Sequence, residues 1–595
     1  MFLFFSRHEN IIAVLLTALV IICGFLISAL TYIDTDGFMR AQRIFDWLNN
    51  FSWFETKSMH SNYPFGEVLH WTRPMDILWL LIAFPFMLFM DTKEAIFNSG
   101  FMLSPLMEVV SFLILLWGLR PYLSLKLRFV ALFLLMLQLP VIHIYIFSRP
   151  DHHSVLALLT IATVACGLRY LAFRNKRTMA AAGFFAAMSV WIAIEGLFLA
   201  YSFLGFLLLL WLVKGEGIKE ARIFSAYFFL GVFAAWLINP PFEGYFYPDN
   251  GRLSVLYVVI VGITLLAVSL LNFLAGKFSM SSPLKLLVVL GIGIACSGII
   301  WSIYGFDVLF ASPFPKEIKD IWVERISELY TPMEGIIFFF SYGLIPLIAL
   351  VIGSFALFAK DNTFKLPFCF FMFCLAVYTT LNYTIGVRFA NYASIFAVLV
   401  FVFIVDLWLR KSGINDKYVR RFSPLKRKII AVFGWSFLFI YTIFINVFWV
   451  HGNNVSHSYL PDKFYQVVLS DREGSVLSDV FYGPHIIWKA NRPVIGTPYH
   501  RNVEGITDTH KIFFAEDMEE ARRLVLKHDI RDIFLPGLFN LAYFKDFWDY
   551  DKRLYSRLIT NENIPCWLTK DALGEVFKVY LYRVDMKKVQ KPCPK

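Results

Sequence analysis

Charge is scarce in this sequence. Of 595 residues, 17% are Asp, Glu, Lys or Arg, whereas 58% are hydrophobic and 18% aromatic, and the mean hydropathy is +0.61. That balance excludes an ordinary soluble globular chain and points to a protein folded in a bilayer. Paired cysteines are scarce too. Cys23, Cys166, Cys296, Cys369 and Cys374 lie inside apolar runs without paired spacing, and only Cys566 and Cys593 are placed to meet in a disulfide outside the membrane. Charge pairs in the middle of apolar runs and inverted internal repeats are missing, which argues against a transporter or flippase. The formal net charge of +11 does not point to nucleic acid, because the basic residues sit in short loops between apolar runs.

What is present is a long series of apolar runs, near 11–33, 101–119, 127–148, 154–171, 179–196, 197–213, 222–239, 253–275, 284–302, 334–359, 365–384, 389–410 and 427–450. On a criterion of roughly twenty residues per span, these predict about 13 transmembrane helices. The first, Ile11 to Leu30, is longer than the apolar core of a signal peptide and reads as a retained span. The run Ile77 to Met90 is short, and reads as lying on or dipping into the outer face. With that assignment "RPYLSLKLR", "RNKRT", "KGEGIKEAR", "KDNTFK" and "RKSGINDKYVRRFSPLKRK" all fall inside, the positive-inside bias of a multi-pass protein with a cytoplasmic N-terminus. Residues 1–450 then form a membrane domain whose long outer loops are 34–100 and 304–333. Residues 451–595 are different material. "MEEARRLVLKHDI" has helical spacing, and "RDIFLPG" and "EVFKVYLYRV" read as strands. They predict a small C-terminal α/β domain outside the cytoplasmic membrane.

The acidic and basic groups worth attention gather on that outer side. "TYIDTDGFMRAQ" puts Asp34 and Asp36 just after the first span; helix capping alone would account for an aspartate there. "SNYPFGEVLHWTRPMD" adds His60, His70 and Arg73. "IFSRPDHHSV" leaves an apolar run, shows Asp151, His152 and His153, and re-enters. A carboxylate and imidazoles on one turn suit a divalent cation, although a helix cap needs only the aspartate. Glu195 falls between two spans, Glu324, Glu328 and Glu334 lie in the second long loop, and Arg388 opens the run after "TIGV". A guanidinium there either grips a phosphate with two hydrogen bonds or anchors the span at the interface.

In this order, "TDGF", "RPDHH", "RISELYTP" and "VRFANYA", followed by a soluble C-terminal domain, resemble the catalytic subunit of oligosaccharyltransferase and its single-subunit bacterial and archaeal relatives. The resemblance covers nearly the whole chain. It implies a GT-C fold and a glycosyltransferase that takes its sugar from a polyprenyl-phosphate or polyprenyl-pyrophosphate donor. It also implies Asp36, Asp151 and His153 as ligands of a divalent metal, Mn2+ or Mg2+, with His152 a bystander. Asp36 and Glu328 are then the catalytic acidic residues on the acceptor side, and Arg388 binds the donor phosphate.

The resemblance breaks where the family carries a "WWDYG" motif that reads the asparagine sequon. Here the chain has "LSDVFYGPHIIW": Tyr482 and Gly483 match, but Val480 and Phe481 stand where a tryptophan and the aspartate belong. Tyr482, His500 and Arg501, the last two in "TPYHRN", are the candidate acceptor-side groups. The expectation is therefore a metal-dependent inverting glycosyltransferase with a lipid, glycan or protein acceptor. Protein N-glycosylation is the narrower alternative, and lipid-linked glycan transport the alternative from another class.

Overall fold

The computed structural model describes residues 31–310, 326–357, 365–413, 460–470, 472–536 and 552–591, with scattered positions between 9 and 22 and between 314 and 323. The runs near 11–33 and 427–450 and residue Glu324 therefore lie largely or wholly outside the described residues. Among the described residues, nine helices are long and apolar enough to cross a membrane: Thr92–Leu119, His152–Phe173, Gly196–Lys214, Ile218–Ile238, Val255–Lys277, Ser282–Phe310, Ile336–Leu357, Leu366–Thr384 and Val387–Leu407. The expected run near 127–148 is a helix pair, Leu125–Met136 and Leu139–Tyr145, bent by 77°. Pro140 at the start of the second helix cannot continue the first helix's hydrogen-bond ladder. The run near 179–196 is the helix Lys176–Ile192, of 17 residues. The chain is a multi-pass helical membrane protein.

The bundle centres on His152–Phe173, which packs between Thr92–Leu119 and Lys176–Ile192, the latter in turn against Ile218–Ile238. Ala182, Ala186 and Ala187 are fully buried along that contact, since small residues let helix backbones approach where lipid supplies no hydrophobic drive. Ser282–Phe310 buries no residue fully, as expected of a helix at the rim of the bundle, where Val288, Val289 and Ile292 rest on the core. The short run near 77–90 forms no helix of spanning length. It is the 11-residue helix Arg73–Ala83 followed by a turn at Phe86–Leu88, with Leu81, Phe84, Leu88 and Phe89 exposed, an apolar edge suited to lie in an interface.

The C-terminal part carries a four-stranded sheet. Its strands are β3 (Ser475–Leu477), β4 (Ile530–Pro536), β5 (Leu568–Lys570) and β6 (Val579–Val584), in the order β3-β4-β6-β5, after a first hairpin of β1 (Lys57–Ser58) and β2 (Glu67–Val68) in the outer loop. β3 and β4 are parallel and the other pairs antiparallel, with Ile533 opposite Tyr582. Cys566 is disulfide-bonded. The four other described cysteines, Cys166, Cys296, Cys369 and Cys374, are not disulfide-bonded, so its partner lies outside the described residues.

The hairpin locks the outer loop to this C-terminal unit. Asn62 and Tyr63 donate backbone N–H groups to Ile495 O and Val494 O, both at 3.1 Å. Behind them Ser61 Oγ and Thr497 Oγ1 donate to Glu67 Oε2 at 2.6 and 2.7 Å, and Asn502 Nδ2 donates to Ser61 Oγ at 3.1 Å. Burial pushes the Glu67 carboxyl up to about 7, against the pull of the two hydroxyls. A carboxyl raised in the folded state stabilises most when protonated. Its contribution is complete below about 4.5, its ordinary value, and is lost as pH rises through about 7. Thermal unfolding from about pH 5 to 8 should show stability falling with rising pH, and Glu67→Gln should flatten that slope.

Candidate active site and metal centre

Four segments deliver the acidic groups, and helix caps set their direction. Asp34 caps the helix Thr35–Asn50, its Oδ1 accepting from Asp36 N at 3.0 Å; Asp36 is thereby left free of the capping duty. Asp151 caps His152–Phe173, its Oδ1 accepting from His152 N at 2.6 Å, which leaves Oδ2 for other partners. Glu328 lies on the short turn Ser327–Leu329, Glu195 immediately precedes Gly196–Lys214, and Arg388 sits on the turn Val387–Phe389. Two glycines allow the close approaches. A Cβ on Gly37 would lie 2.9 Å from Pro150 Cγ, and one on Gly386 would lie 2.6 Å from Glu328 O.

All of these groups line one cavity of about 2010 Å³. On one side are Asp34, Asp36, Arg149, Asp151, His152, His153, Glu195, Glu328 and Arg388. On another, the wall is apolar, with Phe198, Ile337, Phe338, Phe373 and Ile385. Arg149 is central to the acidic side. Its Nε donates to Asp34 Oδ2 at 3.0 Å, its Nη2 donates to Glu328 Oε1 at 3.0 Å and lies 3.4 Å from Asp151 Oδ2, and its Nη1 is 3.0 Å from His143 Nδ1. His153 faces three carboxylates, 3.8 Å from Asp151 Oδ2, 3.9 Å from Glu328 Oε2 and 3.5 Å from Glu195 Oε1. Arg388 Nη2 donates to Glu195 Oε2 at 2.6 Å.

The carboxyl groups divide electrostatically. Burial above all, and then the carboxylates of Asp34 and Asp151, push Asp36 well above the usual range. Burial also opposes ionisation of Asp151, but His152, His153 and Arg149 outweigh it and hold that group well below the usual range. Burial likewise opposes ionisation of Glu328 and Glu195, but His153 and Arg149 lower the former, and Arg388 with His153 lowers the latter. Arg149 resists burial through its three acidic partners and is held firmly charged.

Asp151, His152 and His153 each offer a ligand atom, all within 4.8 Å of one another. This donor set of one carboxylate and two imidazoles, with Glu328 adjoining, fits a divalent cation of the Mn2+ or Zn2+ kind better than a pure oxygen-ligand ion. His152, read from sequence as a bystander, belongs to the group. Its Nδ1 is 2.5 Å from Asp151 Oδ1 and 3.1 Å from Nη2 of Arg40, whose guanidinium lies over the Trp71 ring.

Other sequence candidates separate cleanly. His70, Tyr482 and His500 line the cavity, and the rings of His70 and His500 are 4.1 Å apart. Arg501 does not line it, pairing instead with Asp249 and with Glu243 in the loop before Val255–Lys277. Arg73 binds Asp76 and the backbone of 52–55, His60 approaches Asp46, and Glu334 is exposed. Sequence reasoning missed Arg149, His143 and Arg40. The signal for Arg149 was its place two residues before Asp151, and for Arg40 its position one helical turn after Asp36. Val480, buried, packs with Trp322 and Ile506, with Ile326 and Phe481 against them. The departure from "WWDYG" thus forms an apolar seat for the loop that carries Glu328.

No protein-family model matches the chain, and no curated protein does. Solved structures match its shape. The oligosaccharyltransferase AglB from Archaeoglobus fulgidus, in complex with an inhibitory peptide and a dolichol-phosphate, superposes with a TM-score of 0.66 at 14% identity, over 89% of this chain and 70% of that one. The same organism's enzyme tethered to an acceptor peptide containing the NVT sequon gives 0.63 at 15% identity, over 89% and 69%. Its complex with zinc and sulfate gives 0.58 at 14%, over 88% and 67%. The resemblance read from the motifs is borne out in the backbone: across most of its length the chain has the GT-C fold of the archaeal oligosaccharyltransferase.

Proposed function

We propose that the protein is an inverting glycosyltransferase that moves a sugar or oligosaccharide from a polyprenyl-phosphate or polyprenyl-pyrophosphate donor to an acceptor at the outer face of the cytoplasmic membrane. One observation carries the reading. Asp36, Asp151, His153, Glu328 and Arg388, distant in sequence, share a single cavity with an apolar wall, an arrangement suited to a ligand with a charged head and a hydrocarbon tail. The fold shared with a protein solved with dolichol-phosphate supports the donor class.

In this mechanism Arg388 donates N–H groups to the donor phosphate, and Glu195 at 2.6 Å fixes the plane of its guanidinium. Asp36 and Glu328 orient the acceptor and take its proton as the acceptor atom bonds to the anomeric carbon. The bond from that carbon to the phosphate oxygen breaks, the phosphate leaves with the electron pair, and the configuration inverts. A divalent cation held by Asp151, His153 and Asp36 would supply Lewis-acid stabilisation of the leaving oxygen. The raised Asp36 carboxyl is the kind of group that such a cation returns to its ionised form. The acceptor is a lipid, glycan or protein. Sequon reading is the weaker case, because Val480 and Phe481 are committed to the packing seat.

Membranes containing the chain, supplied with a radiolabelled polyprenyl-linked sugar, should transfer the label to an acceptor in an EDTA-sensitive way. Asp151→Ala and Glu328→Ala should each lower the rate by about 10²-fold or more. Transfer that survives both EDTA and the two substitutions sinks the reading.

Arg388→Ala should raise the donor KM and also strip a buried carboxylate of its partner, destabilising the fold by about 3 kcal/mol. Adding Glu195→Gln to that variant should restore most of the thermal stability and none of the donor affinity. Recovery of both would reduce Arg388 to a structural ion pair.

A further inference from the structure

The place of Arg149 among the acidic groups has a consequence for ion binding, on the reading that this site holds a divalent cation. Four groups surround one sector of the cavity wall. His153 Nε2 lies 3.8 Å from Asp151 Oδ2 and 3.9 Å from Glu328 Oε2, and Arg149 Nη2 lies 3.4 Å from the same Asp151 oxygen and 3.0 Å from Glu328 Oε1. The carboxylates that a cation would draw on are thus already engaged by a guanidinium. That guanidinium is not free to drift. Its side chain is 6% exposed, Asp34 holds Nε at 3.0 Å, and His143 Nδ1 holds Nη1 at 3.0 Å. A dication entering beside it meets a fixed positive charge in a poorly solvated pocket, where like charges repel strongly.

We infer that Arg149 is the resident cation of the site and sets its ion affinity. The divalent ion binds weakly while Arg149 alone faces it, and tightly once an anionic phosphate enters the cavity and offsets the crowded positive charge. Arg388, which lines the same cavity and reaches the cluster through Glu195, is the group that would bring that phosphate in. Ion and lipid phosphate are thereby coupled ligands, each raising the affinity for the other. A residue that merely knits loops together predicts the opposite, because its loss would scatter the ligands and weaken ion binding.

The test titrates Mn2+ into the full-length chain in phosphatidylcholine nanodiscs and reads free Mn2+ by its paramagnetic resonance signal, with undecaprenyl phosphate as the phosphate probe. Undecaprenyl phosphate should tighten Mn2+ binding to the unaltered chain at least about tenfold. Arg149→Gln should produce a tightening of about that size without the lipid and shrink the lipid's further effect, while Arg149→Lys, which keeps the charge, should stay weak. Equal or weaker Mn2+ binding by Arg149→Gln overturns the inference and leaves the metal reading standing. If Arg149→Gln does not fold, the unaltered chain still decides: a Mn2+ affinity indifferent to undecaprenyl phosphate overturns the inference. Absence of Mn2+ binding in every form, lipid present or not, removes the metal reading itself and this inference with it.

Discussion

The charge balance of the site rests on one buried guanidinium. Asp34, Asp151 and Glu328 come from three separate segments and would repel one another across a shared pocket. Arg149 answers all three at 3.0 to 3.4 Å. Removing charges from water costs several kcal/mol each, and such a cluster persists only when its hydrogen-bonding capacity is filled. The fork of Arg149 fills it, with His143 completing the set. Arg388 and Glu195 repeat the device on a smaller scale, as a single pair on the same side of the cavity.

Around this centre the helix ends do double duty. An aspartate at a helix start satisfies orphan backbone N–H groups, and both Asp34 and Asp151 do so. Capping and ligand binding are not alternatives here. Asp151 caps with one oxygen and presents the other to Arg149 and His153. At the first motif the labour is divided, Asp34 taking the cap and the ion pair while Asp36 is left to line the cavity. The C-terminal unit closes the site from above through the hairpin of β1 and β2 and through Val480, whose contact with Trp322 and Ile506 seats the Glu328 loop.

Much of this was legible in the chain. Apolar runs of spanning length and basic inner loops reveal a multi-pass bundle, because a bilayer tolerates only helices with their backbone bonds satisfied internally. The run at 77–90 was legible as too short for a spanning helix, and its helix has 11 residues. The motifs "TDGF", "RPDHH", "RISELYTP" and "VRFANYA" named most of the residues that meet in the cavity, since polar groups beside spans are costly and stand out. Less visible were groups whose meaning depends on a distant partner. Arg501, which by type suits an acceptor site, turns to Asp249, and Arg73 to Asp76.

The sequence by itself therefore determined the solvent, the approximate number of helices and the residue types at the site, all of which follow from local length, polarity and spacing. Only the tertiary structure decided which charges pair, because pairing depends on distances across 100 or more positions of chain. It made Arg149 the hub, set His152 beside Asp151 and His153, and sent Arg501 away. It also turned Val480 and Phe481 into a packing seat, through contacts that no spacing within either segment encodes.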